Sequence, residues 1–336
     1  MEKHVHELFN DDILRIASSR FQMDKDSLKK IGGFENYVYG YTLNQENYVL
    51  RITHSSHRDV DMVLGELEWV EYLALHGASV GMPVYSTNSQ LVEKIDLDDG
   101  SYFILTAFHK AKGQHVNKGM ANHDLYYKWG KAIGKMHALT KDYTPKKSPL
   151  RPTWYEDKLL LNCEEYLPEG NEIIIDKLNS LIDKIKQLPK DKDGYGLIHT
   201  DVHSGNFFVD DNGNITIFDF DDCSYMYFIS DIAIALFYCL LSHDTVENKI
   251  AFSYEFLDHF FRGYREENHL DYKWIKLLPD FLKLREIDLY VVIYRSCDMN
   301  NPGPWEQNYM NNRKYNIEHD VPFIGADLDL SRYNMD

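Results

Sequence analysis

The chain has 336 residues, 44% hydrophobic, 14% aromatic and 26% charged, a balance that suits two substantial cores and excludes a disordered chain. Its 53 acidic residues against 36 basic ones leave a formal charge of −17, so the basic footprint of a nucleic-acid partner is absent. The four cysteines, Cys163, Cys223, Cys239 and Cys297, form no C-x-x-C pair and read as free thiols of a reducing compartment.

The opening stretch MEKHVHELFNDD lacks the apolar core of a signal peptide. The longest apolar run, Phe228 to Leu241, carries Asp231 and is too short for a membrane span. A cytoplasmic protein with no membrane partner is the expectation. Leu8, Ile13, Leu14, Ile16 and Ala17 recur at helical intervals, predicting an amphipathic first helix. From Leu28 the pattern turns aromatic and β-branched, in LKKIGGFENYVYGYTL and ENYVLRITH, as in two or three antiparallel strands. Val60, Val63, Leu67, Val70 and Leu73 return to helical spacing, and Gly77 supplies a C-terminal stop. SQLVEKID and SYFILTAF, joined by DLDDGS, read as a hairpin.

After Phe108 helices dominate, at about 122–139, 172–188, 229–241, 247–264 and 272–294. Between them NFFVD and NITIFDF read as two short strands joined by DNGN, whose Asn-Gly is a tight-turn signal. The fold class expected is α+β in two lobes: a small N-terminal lobe with an antiparallel sheet, 1–107, and a larger, mainly helical lobe, 108–336. AKGQH lies where the first would pass into the second.

Chemistry concentrates in GLIHTDVHSGNFFVDDNGNITIFDFDD, residues 196–222. A single Asp or His beside a strand is ordinarily a cap, but the spacing His199-x-Asp201-x4-Asn206, followed by an apolar strand running into Asp219-Phe220-Asp221, matches the catalytic and metal-binding elements of kinase-like enzymes. Phosphoryl transfer needs an acceptor hydroxyl held in line with the terminal phosphate and charge on its oxygens neutralised. Asp201 is the candidate base, while Asn206 and Asp219 offer the hard oxygens that Mg²⁺ takes, phosphate and water completing its shell. His199 reads as a prop of the loop, and Asp231 as a brace of its backbone or a plain helix cap.

LIHTDVHSGNFFV with ITIFDFDD and FISDIAIALFY resembles the aminoglycoside phosphotransferase family, which includes choline and homoserine kinases and shares the protein-kinase-like fold. The family's usual loop is H-G-D-x-x-x-x-N, so Thr200 stands where glycine is common. The resemblance implies transfer of the γ-phosphate of ATP or GTP, with Mg²⁺, to a hydroxyl of a small-molecule acceptor; acidic Asp221 and Asp222 would suit a cationic one. It also implies phosphate contacts from Gly32 and Gly33 in IGGFENYVY. Arg51 of YVLRITH takes the place of the family's phosphate-pairing lysine, with Glu66 as its acidic partner and Glu68 the weaker choice. In that family late helices line the acceptor pocket, which makes Arg285, Glu286, Tyr290, Tyr294, Arg295 and Trp305 candidates.

Two other readings use the same residues. His199, Asp201 and His203 on an extended strand would share one face and could bind Zn²⁺ or Fe²⁺ in a hydrolase. Arg51 in the lysine position would also suit a catalytically impaired nucleotide-binding protein of the same fold.

Overall fold

The computed structural model describes residues 3–117, 119–146 and 151–334. The described residues form ten strands: β1 (Lys29–Gly32), β2 (Tyr37–Leu43), β3 (Glu46–His54), β4 (Pro83–Val84), β5 (Glu93–Asp96), β6 (Tyr102–His109), β7 (Tyr195–Ile198), β8 (Phe207–Val209), β9 (Ile215–Ile217) and β10 (Ser224–Tyr227). The helices of the first half are α1 (Lys3–Leu8), α2 (Asp11–Arg20), α3 (Val60–Leu75) and α4 (His123–Thr140). Then come α5 (Lys158–Leu161), α6 (Cys163–Tyr166), α7 (Glu172–Lys186), α8 (Phe228–Leu240), α9 (Val246–Tyr264), α10 (Tyr272–Ile275), α11 (Leu278–Ser296), α12 (Pro304–Met310) and α13 (Arg313–Glu318). The chain divides into two compact units, one formed by 1–114, 143–151 and 207–221, the other by 115–142, 152–206 and 222–336.

The first unit is built on an antiparallel sheet in the order β1-β2-β3-β6-β4, with β5 also paired to β6. Alternation along β3 decides which side chain meets which layer. Leu50 and Ile52 join Tyr37, Tyr41, Phe103, Leu105 and Ala107 in a core closed by Val5 of α1 and Ile13 and Ala17 of α2. Arg51 and Thr53, of opposite parity, are buried as well. A second cluster holds Ile104 of β6 with Val63 and Leu67 of α3, capped by Asp59, whose carboxylate accepts the Met62 N–H at 2.8 Å. The β8–β9 hairpin belongs to this unit, bridged to Val80 through Ile217 and to Gln114 through Val209, although a boundary at 107 would leave it with the helices.

In the second unit α4 and α9 approach closely because neither carries a side chain at the crossing: a Cβ on Gly130 would meet the Phe260 carbonyl oxygen at 2.0 Å, and one on Gly263 that of Tyr127 at 1.9 Å. Helix α8 is buried along most of its length, from Phe228 to Phe237, the position of a central helix. β7 pairs antiparallel with β10, setting Ile198 opposite Ser224.

Several boundaries differ from the sequence pattern. The first helix is two, because Asn10 caps a new start by accepting the Asp12 N–H at 3.0 Å. The late helix splits at Pro279, which occupies the first turn of α11. The strand NITIFDF ends at Ile217, and Asp219 lies beyond it in the left-handed region at φ 66°.

Candidate active site

The loop after β7 carries Asp201, and its backbone is unusual at the preceding residue. Thr200 sits at φ 65°, a conformation that a β-branched residue seldom adopts and that glycine adopts freely. Two features hold it there. Its hydroxyl lies 2.7 Å from the carbonyl oxygens of both His199 and Asp222. Asp231 of α8, wholly buried, accepts the N–H groups of Thr200 at 2.8 Å and His199 at 3.2 Å, and it also bonds His137 Nε2 at 3.1 Å. Asp231 is therefore a brace of the loop, and the buried His137 of α4 is its partner.

Asp201 has both carboxylate oxygens engaged. Oδ1 accepts from Arg285 Nη2 at 2.5 Å; Oδ2 accepts from Asn206 Nδ2 at 2.9 Å and lies 3.4 Å from His203 Nε2. Burial would push the carboxyl up, but Arg285, then His203 and His199, outweigh it and hold Asp201 below the usual carboxylate range. The Asn206 amide nitrogen also donates to the Asp201 carbonyl at 2.8 Å, which leaves its Oδ1 as the oxygen able to meet a cation. Around Arg285 stand Tyr238, whose hydroxyl is 2.6 Å from Nη2, and Asp288, whose Oδ2 accepts from Nη1 at 2.7 Å. Burial pushes the Asp288 carboxyl up to about 6; Arg285 opposes this, while Asp157 and Asp222 add to it.

His199, Asp201 and His203 do not share a strand face, because the left-handed turn at Thr200 breaks the extended geometry that the hydrolase reading needs. His199 Nδ1 accepts the Asp201 N–H at 3.3 Å, and His203 Nδ1 accepts the Gly205 N–H at 2.9 Å. Among the described residues no group of three or more His, Cys, Asp or Glu side chains is arranged to hold a metal ion.

The sheet-bearing unit holds a second charged constellation. Arg51 on β3 and Glu66 on α3 form a two-pronged pair, Nη1 to Oε1 at 2.8 Å and Nη2 to Oε2 at 2.7 Å, with both side chains buried. Asp221 lies beside them, its carboxylate 2.5 Å from His57 Nε2, 3.6 Å from Arg58 Nη2 and 3.8 Å from Arg51 Nη1. Burial opposes ionisation of Asp221, yet Arg58, His57 and Arg51 together hold its carboxyl well below the usual range. Arg151 donates to its carbonyl at 2.6 Å. Asp219 contributes to the electrostatic field at Arg51. Gly33, at φ 122°, faces the Asn36 carbonyl oxygen so closely that a Cβ would stand 1.8 Å from it.

A model of the phosphotransferase enzyme family matches residues 27–277. The chain belongs to that family. This phosphotransferase is 36% identical over 331 residues to amicoumacin kinase of Bacillus subtilis (strain 168), with 98% of each chain covered. It is similar to the solved structure of amicoumacin kinase hAmiN in complex with AMP-PNP, Ca²⁺ and Ami, at a TM-score of 0.92 and 34% identity, over 99% of this chain and 100% of that one. A microcompartment-associated aminopropanol kinase shares the fold, at a TM-score of 0.75 and 19% identity, over 95% and 99% of the two chains. With these relatives the phosphotransferase stands among the small-molecule kinases, with the mixed α+β fold of that group.

The acceptor candidates have diverse surroundings. Glu286 is wholly buried, its carboxylate shared between Lys283 at 2.5 Å and Arg313 at 2.6 Å. Tyr290 is buried, and its hydroxyl donates to Asn171 Oδ1 at 2.9 Å. Trp305 is 48% exposed and stacks on Tyr309 at 5.8 Å. The partners that the sequence did not reveal are His57, Arg58 and Arg151 around Asp221, His137 on Asp231, and Asp288 and Tyr238 on Arg285. Asp288 stands three residues from Arg285 on α11, a helical spacing that could have paired them, whereas the others lie 47 to 164 residues from the groups they meet and carry no such signal.

Proposed function

We propose that this phosphotransferase moves the γ-phosphate of ATP or GTP to a hydroxyl of a small-molecule acceptor, with Asp201 as the base. The observation that carries the reading is the geometry of Asp201: a carboxylate gripped at one oxygen by Arg285 and at the other by Asn206, on a loop whose backbone Asp231 pins. In the step, the acceptor O–H proton passes to Asp201 as its oxygen bonds to the γ-phosphorus, and the bond to the β-phosphate oxygen breaks to release the nucleoside diphosphate. Asn206 Oδ1 and the Asp219 carboxylate are the hard oxygens expected to hold Mg²⁺, which when bound neutralises charge on the phosphate oxygens.

Gly32 and Gly33 are proposed to hold phosphate through backbone N–H groups, and Arg51, oriented by Glu66, to act in nucleotide binding. An Arg51→Ala enzyme with unchanged nucleotide affinity and turnover would exclude that role. Asp222 and Trp305, both exposed, are the acceptor contacts we favour, whereas Asp221, Glu286 and Tyr290 are buried. Amicoumacin heads the proposed acceptors, because the relative of 36% identity is named for it. A nucleotide co-substrate fits action in the cytoplasm.

Nucleotide consumption with a panel of amicoumacin, aminoglycosides, amino alcohols and sugars, run with ATP and with GTP, tests the reading. Asp201→Ala is expected to lower turnover by at least ~10²-fold with the fold intact. A near-normal rate in that variant would refute the assignment of the base.

A further inference from the structure

We infer that Arg285 is a positioning residue for Asp201: from α11 it fixes one oxygen of the reacting carboxylate while Asn206 fixes the other. This rests on the phosphotransfer reading of Asp201 and extends it to a residue 84 positions away in sequence.

A carboxylate held at a single oxygen can rotate about its Cβ–Cγ bond, and a base must present a lone pair to the hydroxyl in one direction. Asp201 is held at both ends, by Arg285 Nη2 at 2.5 Å and Asn206 Nδ2 at 2.9 Å. Each bond takes one lone pair, so further acceptor capacity remains for the substrate hydroxyl. The guanidinium is itself fixed. Nη1 donates to Asp288 at 2.7 Å, Nη2 also donates to the Tyr238 hydroxyl at 2.6 Å, and the Tyr238 ring lies 5.2 Å from its central carbon.

Two features separate this arrangement from an ordinary structural ion pair. The neighbouring residue on α11, Glu286, is sealed in the interior at 0% side-chain exposure, whereas Arg285, Asp201 and Asp288 keep 18, 20 and 19%. Arg285 also divides its fork between two carboxylates, one per terminal nitrogen, so Asp288 balances its charge and Asp201 need not surrender its own. A lysine ammonium is a point charge without that fork, and it could satisfy only part of the geometry.

The test is a cycle of four enzymes: the parent, Arg285→Met, Asp201→Asn and the double variant. Turnover and KM are measured for nucleotide and acceptor. In the parent background Arg285→Met is expected to lower kcat by about 10- to 100-fold while nucleotide KM changes by less than about 2-fold. With Asp201→Asn present the same substitution should cost less than about 2-fold, because there is no carboxylate left to orient. Arg285→Lys should recover part of the loss. Tyr238→Phe, which removes only the hydroxyl beside Nη2, serves as a second probe on the same cycle should Arg285→Met fold poorly; it should show a smaller loss that also vanishes with Asp201→Asn.

Equal losses in the two backgrounds, or a loss confined to nucleotide KM, overturn this inference alone. An unimpaired Asp201→Asn enzyme overturns the base assignment, and the role of Arg285 with it.

Discussion

Replacing Arg51 by methionine isolates the buried pair that it forms with Glu66. The two terminal nitrogens hold Glu66 at 2.8 and 2.7 Å, and the side chains are 5 and 1% exposed. Removing one member of such a pair leaves a desolvated charge without its counter-ion, a loss of about 3–5 kcal/mol. Methionine is flexible and apolar, so little of that loss comes from a cavity. Asp221 adds little, because His57 at 2.5 Å and Arg58 at 3.6 Å remain beside it.

At roughly 2–4 °C per kcal/mol, the melting transition should fall by about 6–20 °C. Thermal and urea unfolding of nucleotide-free protein near pH 7 reads this directly. The double variant Arg51→Met/Glu66→Met leaves no orphaned charge and should return to within about 2 kcal/mol of the parent. A single-variant loss below about 1 kcal/mol, or a double variant no better than the single, would refute the burial argument.

Asp231→Asn keeps one oxygen but turns an amide group toward the donors of the 199–200 loop. Each donor left unsatisfied costs about 1–3 kcal/mol, so stability should fall on that scale and turnover by at least about 10-fold. Unchanged turnover would show that the hold of Asp231 on the loop does not bear on catalysis. Asp288 predicts a pH dependence. Its carboxyl is pushed up to about 6 by burial, against about 3.9 in an unfolded chain, so its contribution to stability is fully present below about pH 4 and lost as pH rises through 6. Asp288→Asn does not ionise. The stability of that variant relative to the parent should therefore grow by about 2–3 kcal/mol between pH 4 and 7, and urea titrations giving a pH-independent difference would count against it.

The chain itself determined the chemistry-bearing loop and the order of the layers. His199, Asp201, Asn206 and Asp219 fall within one short stretch, and the hydroxyl and carboxylate chemistry they imply follows from residue type and spacing. Strand and helix periods in the first hundred residues place Arg51 and Glu66 on facing elements, because alternation along β3 and the 3.6-residue turn of α3 are local properties.

Tertiary structure decided which charges meet. Arg285 reaches Asp201 across 84 residues, and Asp221 gathers His57 and Arg58 across 164 and 163 residues. The left-handed backbone at Thr200 was hidden for the same reason: a β-branched residue enters that region only where remote groups hold it, here Asp231 and the Asp222 carbonyl. Local spacing announces which groups can react, whereas their ionisation and direction depend on partners that only folding brings near.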